Sequence, residues 1–321
     1  MRRMRRFMLW GLAAGAALLA AIAGWFHYDL ERARQEVREG GRVIETAVGP
    51  IEYAERGEGP PLLSIHGAGG GYDQGLDLAA DLVGDRDFRL VAPSRFGYLR
   101  TPAPEDFSAA AQADAHAALM DALQIEQSVV VGTSAGALSA MELALRHPDR
   151  VRALILVVPA GYAPENPVTI AENRGNAFVF WAVNHGADFA WWAAERVAPS
   201  MLVRFVGVPP ELARSAAADE RQRIGEILAA IQPLSARMRG INIDSMGDVR
   251  PRPLDRIRAP TLVISARDDL FNTAPAARYT ASQIPNAELV IYDTGGHLLV
   301  GRGEETRAAV RAFLERAAVE E

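Results

Sequence analysis

Cysteine is absent from the 321 residues, and so is lysine; all 34 basic side chains are arginine. Without cysteine there are no disulfides, no thiolate metal ligands, no iron–sulfur clusters and no thiol nucleophile, and the chain is indifferent to the redox state of its compartment. Without lysine there is no amine to form a Schiff base, which excludes pyridoxal-phosphate attachment. The phosphate-binding pattern G-x-x-x-x-G-K-[ST] is excluded for the same reason. No basic block occurs beyond the first six residues and the net charge is -6, which argues against a nucleic-acid partner. What remains, 49% apolar and 23% charged residues, is an ordinary globular composition. The length suits one large domain with an insertion, or two modest ones.

The first 28 residues form a separate object. Arg2, Arg3, Arg5 and Arg6 precede twenty uncharged residues, Phe7 to Phe26, with Trp10 and Trp25 near the two ends. As a helix that run is about 30 Å long, the thickness of a bilayer core, and indoles favour the interface. The arginines are expected to stay cytoplasmic, which places everything after Tyr28 on the extracytoplasmic side. Half of the run is Ala or Gly, and Ala21-Ile22-Ala23 fits a signal-peptidase site before Gly24, so two fates are open. A retained membrane anchor is the preferred reading, and export after signal cleavage is the other. Residues 29–41, charged and mixed in sign, read as a solvated helical stalk.

From Arg42 short apolar runs bounded by Gly and Pro alternate with helix-like segments, with no internal repeat. Strands are expected at Arg42–Ala47, Ile51–Glu55, Pro61–Ile65, Phe88–Ala92, Ser128–Val131 and Ala153–Val158. The first two make a hairpin turning at Gly49-Pro50. Helices are expected at Gly75–Leu82, Ala109–Leu123 and Ala135–His147. This alternation requires an α/β fold with a mostly parallel, doubly wound sheet. It stops at Gly161 and resumes with strand Thr261–Ser265, helix Ala274–Gln283, strand Glu288–Tyr292 and helix Glu304–Ala317. The core is thus 42–163 and 251–321. Residues 164–250, helix-like and broken by prolines, form an insertion at the carboxyl ends of the strands, where ligands bind in such sheets, and are a candidate lid.

Gly132-Thr133-Ser134-Ala135-Gly136 closes a buried strand and opens a helix, the setting of a nucleophile elbow. A serine hydroxyl needs a base, and of the six histidines His297, in the loop Thr294-Gly295-Gly296-His297 after the last strand, is the one placed to reach a sheet edge. Asp268 and Asp269 both follow strand Thr261–Ser265, and either completes the order Ser, Asp, His. The loop His66-Gly67-Ala68-Gly69-Gly70-Gly71 offers backbone N–H donors; those of Ala68 and Ala135 are assigned to an oxyanion hole. His66 and Gly67 are expected to touch substrate. In the insertion Phe178, Trp181, His185, Asp188 and Trp192 recur at helical spacing and share a face that either packs the lid or walls an apolar pocket. Trp181 and Trp192 are expected to line it. Neither cofactor nor metal ion is needed by this chemistry.

In combination and order, these motifs resemble the α/β-hydrolase fold superfamily from about Arg42 to the C-terminus, with 164–250 standing where that family inserts its helical cap. The resemblance implies a serine hydrolase with Ser134 as nucleophile and His297 as base, and its acid loop favours Asp269 over Asp268. The segment Ala92 to Thr101 departs from the family pattern, with Ser94 where an Asp is usual, so no role transfers to it. The expected substrate is a hydrophobic small-molecule ester. Carbon–carbon, thioester or lactone hydrolysis and acyl transfer use the same residues. A membrane-tethered binding protein on a hydrolase scaffold is the rival from another class.

Overall fold

The computed structural model describes residues 2–84, 87–165, 187–246 and 249–319. After the N-terminal helix α1 (Arg2–Gly40) come β1 (Arg42–Thr46), β2 (Gly49–Arg56), β3 (Pro61–Ile65), α2 (Tyr72–Val83), β4 (Arg89–Pro93), α3 (Ala109–Ala122), β5 (Ser128–Thr133), α4 (Gly136–Arg146) and β6 (Val151–Val157). The insertion contributes α5 (Ala187–Val197), α6 (Pro199–Phe205), α7 (Pro210–Ser215), α8 (Ala218–Ala230) and α9 (Met238–Ser245), with no strand among its described residues. The core closes with β7 (Thr261–Ala266), α10 (Ala274–Gln283), β8 (Glu288–Tyr292) and α11 (Gly303–Val319).

The strands form one sheet in the order β1-β2-β4-β3-β5-β6-β7-β8. Only β1–β2 and β2–β4 are antiparallel. Alternation along each strand splits the core in two. Leu63, Ile65, Val130, Leu154 and Leu156 pack on α3 and α4, whereas Leu62, Val129, Val131, Ile155 and Val157 pack on α2 and α11. Covered on both faces, these strands read as unbroken apolar runs. Burial of each large aliphatic side chain stabilises the fold by roughly 1.5–3 kcal/mol. The connection from β3 moves to one side and the one from β4 crosses back to β5, so the sheet's switch point lies between β3 and β5. The loops at their carboxyl ends meet there.

Two expectations need correcting. The first hairpin turns at Ala47-Val48, because Gly49 already pairs with Thr46 and Thr46 Oγ1 closes the turn, donating to Gly49 O at 2.6 Å and accepting from Val48 N at 3.2 Å. Residues 29–41 are not a free stalk. Residues 29–40 are helical as expected, in one helix with the preceding run, but docked, with Leu30 buried, Tyr72 Oη donating to Val37 O at 2.8 Å and Arg100 Nη2 donating to Gly41 O at 2.6 Å. Most of the mixed charges, Glu31, Arg32, Glu36, Arg38 and Glu39, lie on the outer face, while positions 29, 30, 33, 34 and 37, Asp29 and Arg34 among them, make an inward stripe. Within α1 lies the helix long and apolar enough to cross a membrane, Arg6–Gly40.

His116 on α3 is buried against α4, its Nε2 3.1 Å from Ser139 Oγ. Burial, aided by the charge of Arg95, lowers its pKa to about 3. An unfolded chain protonates this imidazole below about pH 6.5 and the folded chain does not, so stability falls as pH falls. Between pH 6.5 and 5, wild type should lose about 2 kcal/mol more than His116→Gln, which keeps a hydrogen-bonding group but cannot titrate. Denaturant titrations at the two pH values measure this; equal losses would remove the assignment.

Candidate active site

Ser134 sits in the tight turn between β5 and α4, held at a φ of 49°. A residue with a β-carbon pays conformational strain there, of order 1–3 kcal/mol. The surroundings fix the turn: Ser134 N donates to Val157 O at 3.0 Å, and its carbonyl accepts from Ala137 N at 3.1 Å and Ala160 N at 3.0 Å. Only glycine fits at position 136, because a β-carbon there would lie 2.4 Å from His66 O and 2.5 Å from Ile65 O. The elbow is thereby pressed against the loop after β3. A β-carbon on Gly67 would meet Ser134 Cβ at 3.0 Å, so Gly67 stands beside the serine.

His297 and Asp269 meet on the loops after β8 and β7. His297 Nδ1 lies 2.8 Å from Asp269 Oδ2, with the carboxylate fully buried. A carboxylate can only accept, so Nδ1 carries the proton and the neutral ring presents a lone pair at Nε2. Burial alone would raise the Asp269 pKa. The His297 charge, its hydrogen bond, and those from Thr273 Oγ1 and Phe271 N outweigh burial and hold the group below its ordinary value. Asp268 does something else: its Oδ1 accepts from Gly296 N at 2.7 Å and steadies the turn before the histidine. Geometry therefore separates two adjacent carboxylates that spacing leaves equivalent. Among the described residues Ser134 Oγ makes no hydrogen bond, and serine–histidine bonds are often long before substrate arrives.

The loop after β3 places Ala68 exposed and Ala135 buried at the start of α4, and neither N–H is used in a hydrogen bond among the described residues. His66, expected to touch substrate, is buried with both ring nitrogens engaged: Nδ1 donates to Gly67 O at 2.7 Å and Nε2 accepts from Arg95 N at 3.0 Å. Burial and the nearby Arg95 charge push its pKa well below the usual imidazole value, so it stays neutral and shapes the loop from beneath.

Several residues that the sequence left without a role converge here. Arg95 Nε donates to His66 O at 2.8 Å, and its terminal nitrogens form a forked pair with Asp244 of α9 at 2.8 and 2.6 Å. Asp244 outweighs the effect of burial and holds that guanidinium firmly charged. Tyr98 Oη donates to Asp244 at 2.5 Å and accepts from Gly69 N at 3.3 Å. Arg237, also buried, pairs with Asp73 of α2 at 3.1 and 2.6 Å. From the insertion, Gly207 O accepts both His297 N (3.0 Å) and Leu270 N (3.1 Å). Phe271 packs edge-on to the His297 ring at 4.7 Å and is part exposed, an apolar surface beside the imidazole. No local pattern announces Gly207 or Asp244, because their partners are distant in sequence.

The expected aromatic wall fares differently. Phe178, Phe180, Trp181 and His185 lie outside the described residues. Trp192 is buried, but against α1: its Nε1 donates to Asp29 Oδ2 at 2.9 Å, and its ring lies 5.3 Å from that of Trp25. Asp188 accepts from Ser235 N and Oγ at 2.8 and 2.6 Å. The two described residues of the stripe, Asp188 and Trp192, thus pack the insertion and bind it to α1, and Trp192 is not placed as a substrate contact.

The alpha/beta hydrolase fold family profile matches residues 60–303. A 2-hydroxymuconate semialdehyde hydrolase from Pseudomonas putida is 31% identical over 297 residues, covering 89% of this chain and 98% of that protein. Among solved structures, an alpha/beta hydrolase fold protein from Nakamurella multipartita superposes with a TM-score of 0.66 at 30% identity, covering 87% of this chain and 99% of the other. A membrane phospholipase A superposes with a TM-score of 0.64 at 25% identity, covering 99% of both chains and so including the N-terminal helix. Strained serine, carboxylate-bound imidazole and matched family coincide along the same stretch of chain, which belongs to the alpha/beta hydrolase fold family and is a hydrolase.

Proposed function

We propose that the chain is a cofactor-independent serine hydrolase acting on a hydrophobic small-molecule carboxylic ester. Ser134 Oγ adds to the ester carbonyl while His297 Nε2 takes its proton. Asp269 holds the tautomer and stabilises the imidazolium. The N–H groups of Ala68 and Ala135 receive the developing oxyanion. Collapse of the tetrahedral intermediate expels the alcohol, which takes the proton from His297 and leaves an acyl group on Ser134. Water, deprotonated by the same imidazole, releases the acid. The observation that carries this reading is the Nδ1–H···Asp269 hydrogen bond, which leaves Nε2 as a base on the sheet edge that bears the strained serine.

The apolar preference rests on Phe271, part exposed beside His297, with the exposed Leu270 preceding it in the chain. Residues 164–250 act as the lid, and α1 serves as a retained anchor with the body extracytoplasmic. Carbon–carbon bond hydrolysis is the second reading, favoured by the 31% identity to a protein named for hydrolysing 2-hydroxymuconate semialdehyde. It uses the same serine, base and oxyanion donors.

A fluorophosphonate probe should label wild type and not Ser134→Ala; labelling that survives the substitution removes Ser134 as nucleophile. Asp269→Asn should lower kcat by about 10³–10⁴ through the wrong tautomer. Asp268→Asn should remain within about ten-fold of wild type, because an amide oxygen still accepts from Gly296 N. If the two variants lost activity equally, the division of labour between these carboxylates would be wrong. Octanoate esters should exceed acetate esters in kcat/KM by about ten-fold or more, the gain from burying two or more methylenes. Equal rates would exclude an apolar acyl pocket, and turnover of a vinylogous 1,5-diketone in place of either ester would favour the second reading.

A further inference from the structure

The way α5 lies on α1 fixes which part of the insertion faces the apolar end of the N-terminal helix. Arg34 of α1 is 3.6 Å from Asp188, at the start of α5. Asp29 bonds Trp192 Nε1 at 2.9 Å and Arg196 at 2.7 Å, and Trp25 packs against Trp192 at 5.3 Å. The Arg196 guanidinium lies over the rings of both Trp192 (4.3 Å) and Trp25 (5.1 Å). Phe189, Trp192 and Arg196 all meet residues 25–29, so α5 lies across α1 where the uncharged run Phe7 to Phe26 meets the charged half of the helix, and Arg196, one residue before the end of α5, is level with Trp25.

Beyond Val197, the last residue of α5, the chain turns at Ala198 into α6. Val197 is 82% exposed and Met201 49%, and Phe189, 46% exposed, packs on Phe26. Arg204, one turn after Met201, is exposed and basic. Apolar tips level with an interfacial tryptophan, with arginines beside them, are the composition of a surface that enters the headgroup and upper acyl region of a bilayer.

We propose that the α5–α6 junction, Val197 to Met201 with Phe189, seats in the lipid surface that holds α1. This rests on the anchor reading of α1 and extends it: the insertion rides on the membrane instead of standing about 20 Å away on a thirteen-residue stalk. A lipid-dissolved ester then reaches the insertion without crossing water. The occupant is lipid, not a second protein, because the patch is continuous with the apolar helix through Phe26 and Trp25.

The absence of cysteine makes the test direct. Single variants Val197→Cys, Met201→Cys, Leu12→Cys and Val48→Cys of the full chain are labelled with an NBD fluorophore and reconstituted in phosphatidylcholine–phosphatidylglycerol vesicles. Each is first checked for the parental melting temperature. Doxyl-labelled lipid should quench labels at 12, 197 and 201 by about two-fold or more, with a shallow doxyl most effective at 197 and 201. The label at 48, on the hairpin beyond the far end of α1, should respond only to aqueous iodide. Quenching at 12 with iodide-accessible labels at 197 and 201 overturns the proposal while leaving the anchor intact. Labels at 197 and 201 shielded from both quenchers overturn it in favour of a protein contact. Failure at 12 overturns the anchor reading and this proposal together.

Discussion

The buried guanidinium of Arg95 ties together three distant parts of the chain. It grips the carbonyl of His66 beneath the glycine loop, Gln112 on α3, and Asp244 on α9. Both members of the Arg95–Asp244 pair are almost wholly buried, so neither can return to water if the other is lost. Breaking such a pair leaves an uncompensated buried charge, at a cost of roughly 3–5 kcal/mol. The loop carrying Ala68 therefore inherits its position from a contact between the sheet and the insertion. Gly240 extends the same junction: its N–H reaches Gly97 O at 2.9 Å, and it lies so close to the Tyr98 ring that a β-carbon would sit 2.1 Å from Tyr98 Cδ2.

The sheet and its helices were legible because both periods are local. Strands such as Ser128–Thr133 carry an apolar run, Val129 to Val131, close to turn residues, and Ala274–Gln283 and Glu288–Tyr292 match the expected bounds. The elbow was equally legible, since Gly132 is demanded by Ala137 and Ala140, which the strand–turn–helix path itself brings near, while Gly136 answers to Ile65, at the end of the neighbouring strand, and to His66 after it. The segment after β4 was opaque for the opposite reason. Ser94, Arg95, Tyr98 and Arg100 all act through Glu52, His66 or Asp244, partners set by tertiary packing. A charged or polar residue read alone carries no sign of whether its partner is water or a buried carboxylate.

The N-terminal segment shows how composition misleads where two environments share one helix. Its charged half satisfied every sign of a solvated stretch, yet a solvated helix and a helix docked along one stripe differ only in which residues face inward. Asp29 illustrates the ambiguity. Counted as a surface charge, it accepts from the Trp192 indole and from Arg196 and so joins α1 to α5. Trp192, read as a candidate pocket residue, is the other half of the same contact.

The carbonyl of Gly207 constrains how the insertion can move. It accepts from Leu270, next to Asp269, and from His297 itself, so a single peptide of the insertion braces both the acid loop and the base loop. Its φ of 72° and the 2.5 Å approach of a notional β-carbon to His297 Cβ leave no alternative residue at that point. The buried pairs Arg95–Asp244 and Arg237–Asp73 pin the far end, α9 and the turn before it. An insertion fixed at both Gly207 and α9 cannot swing away as one body without pulling the imidazole off its carboxylate.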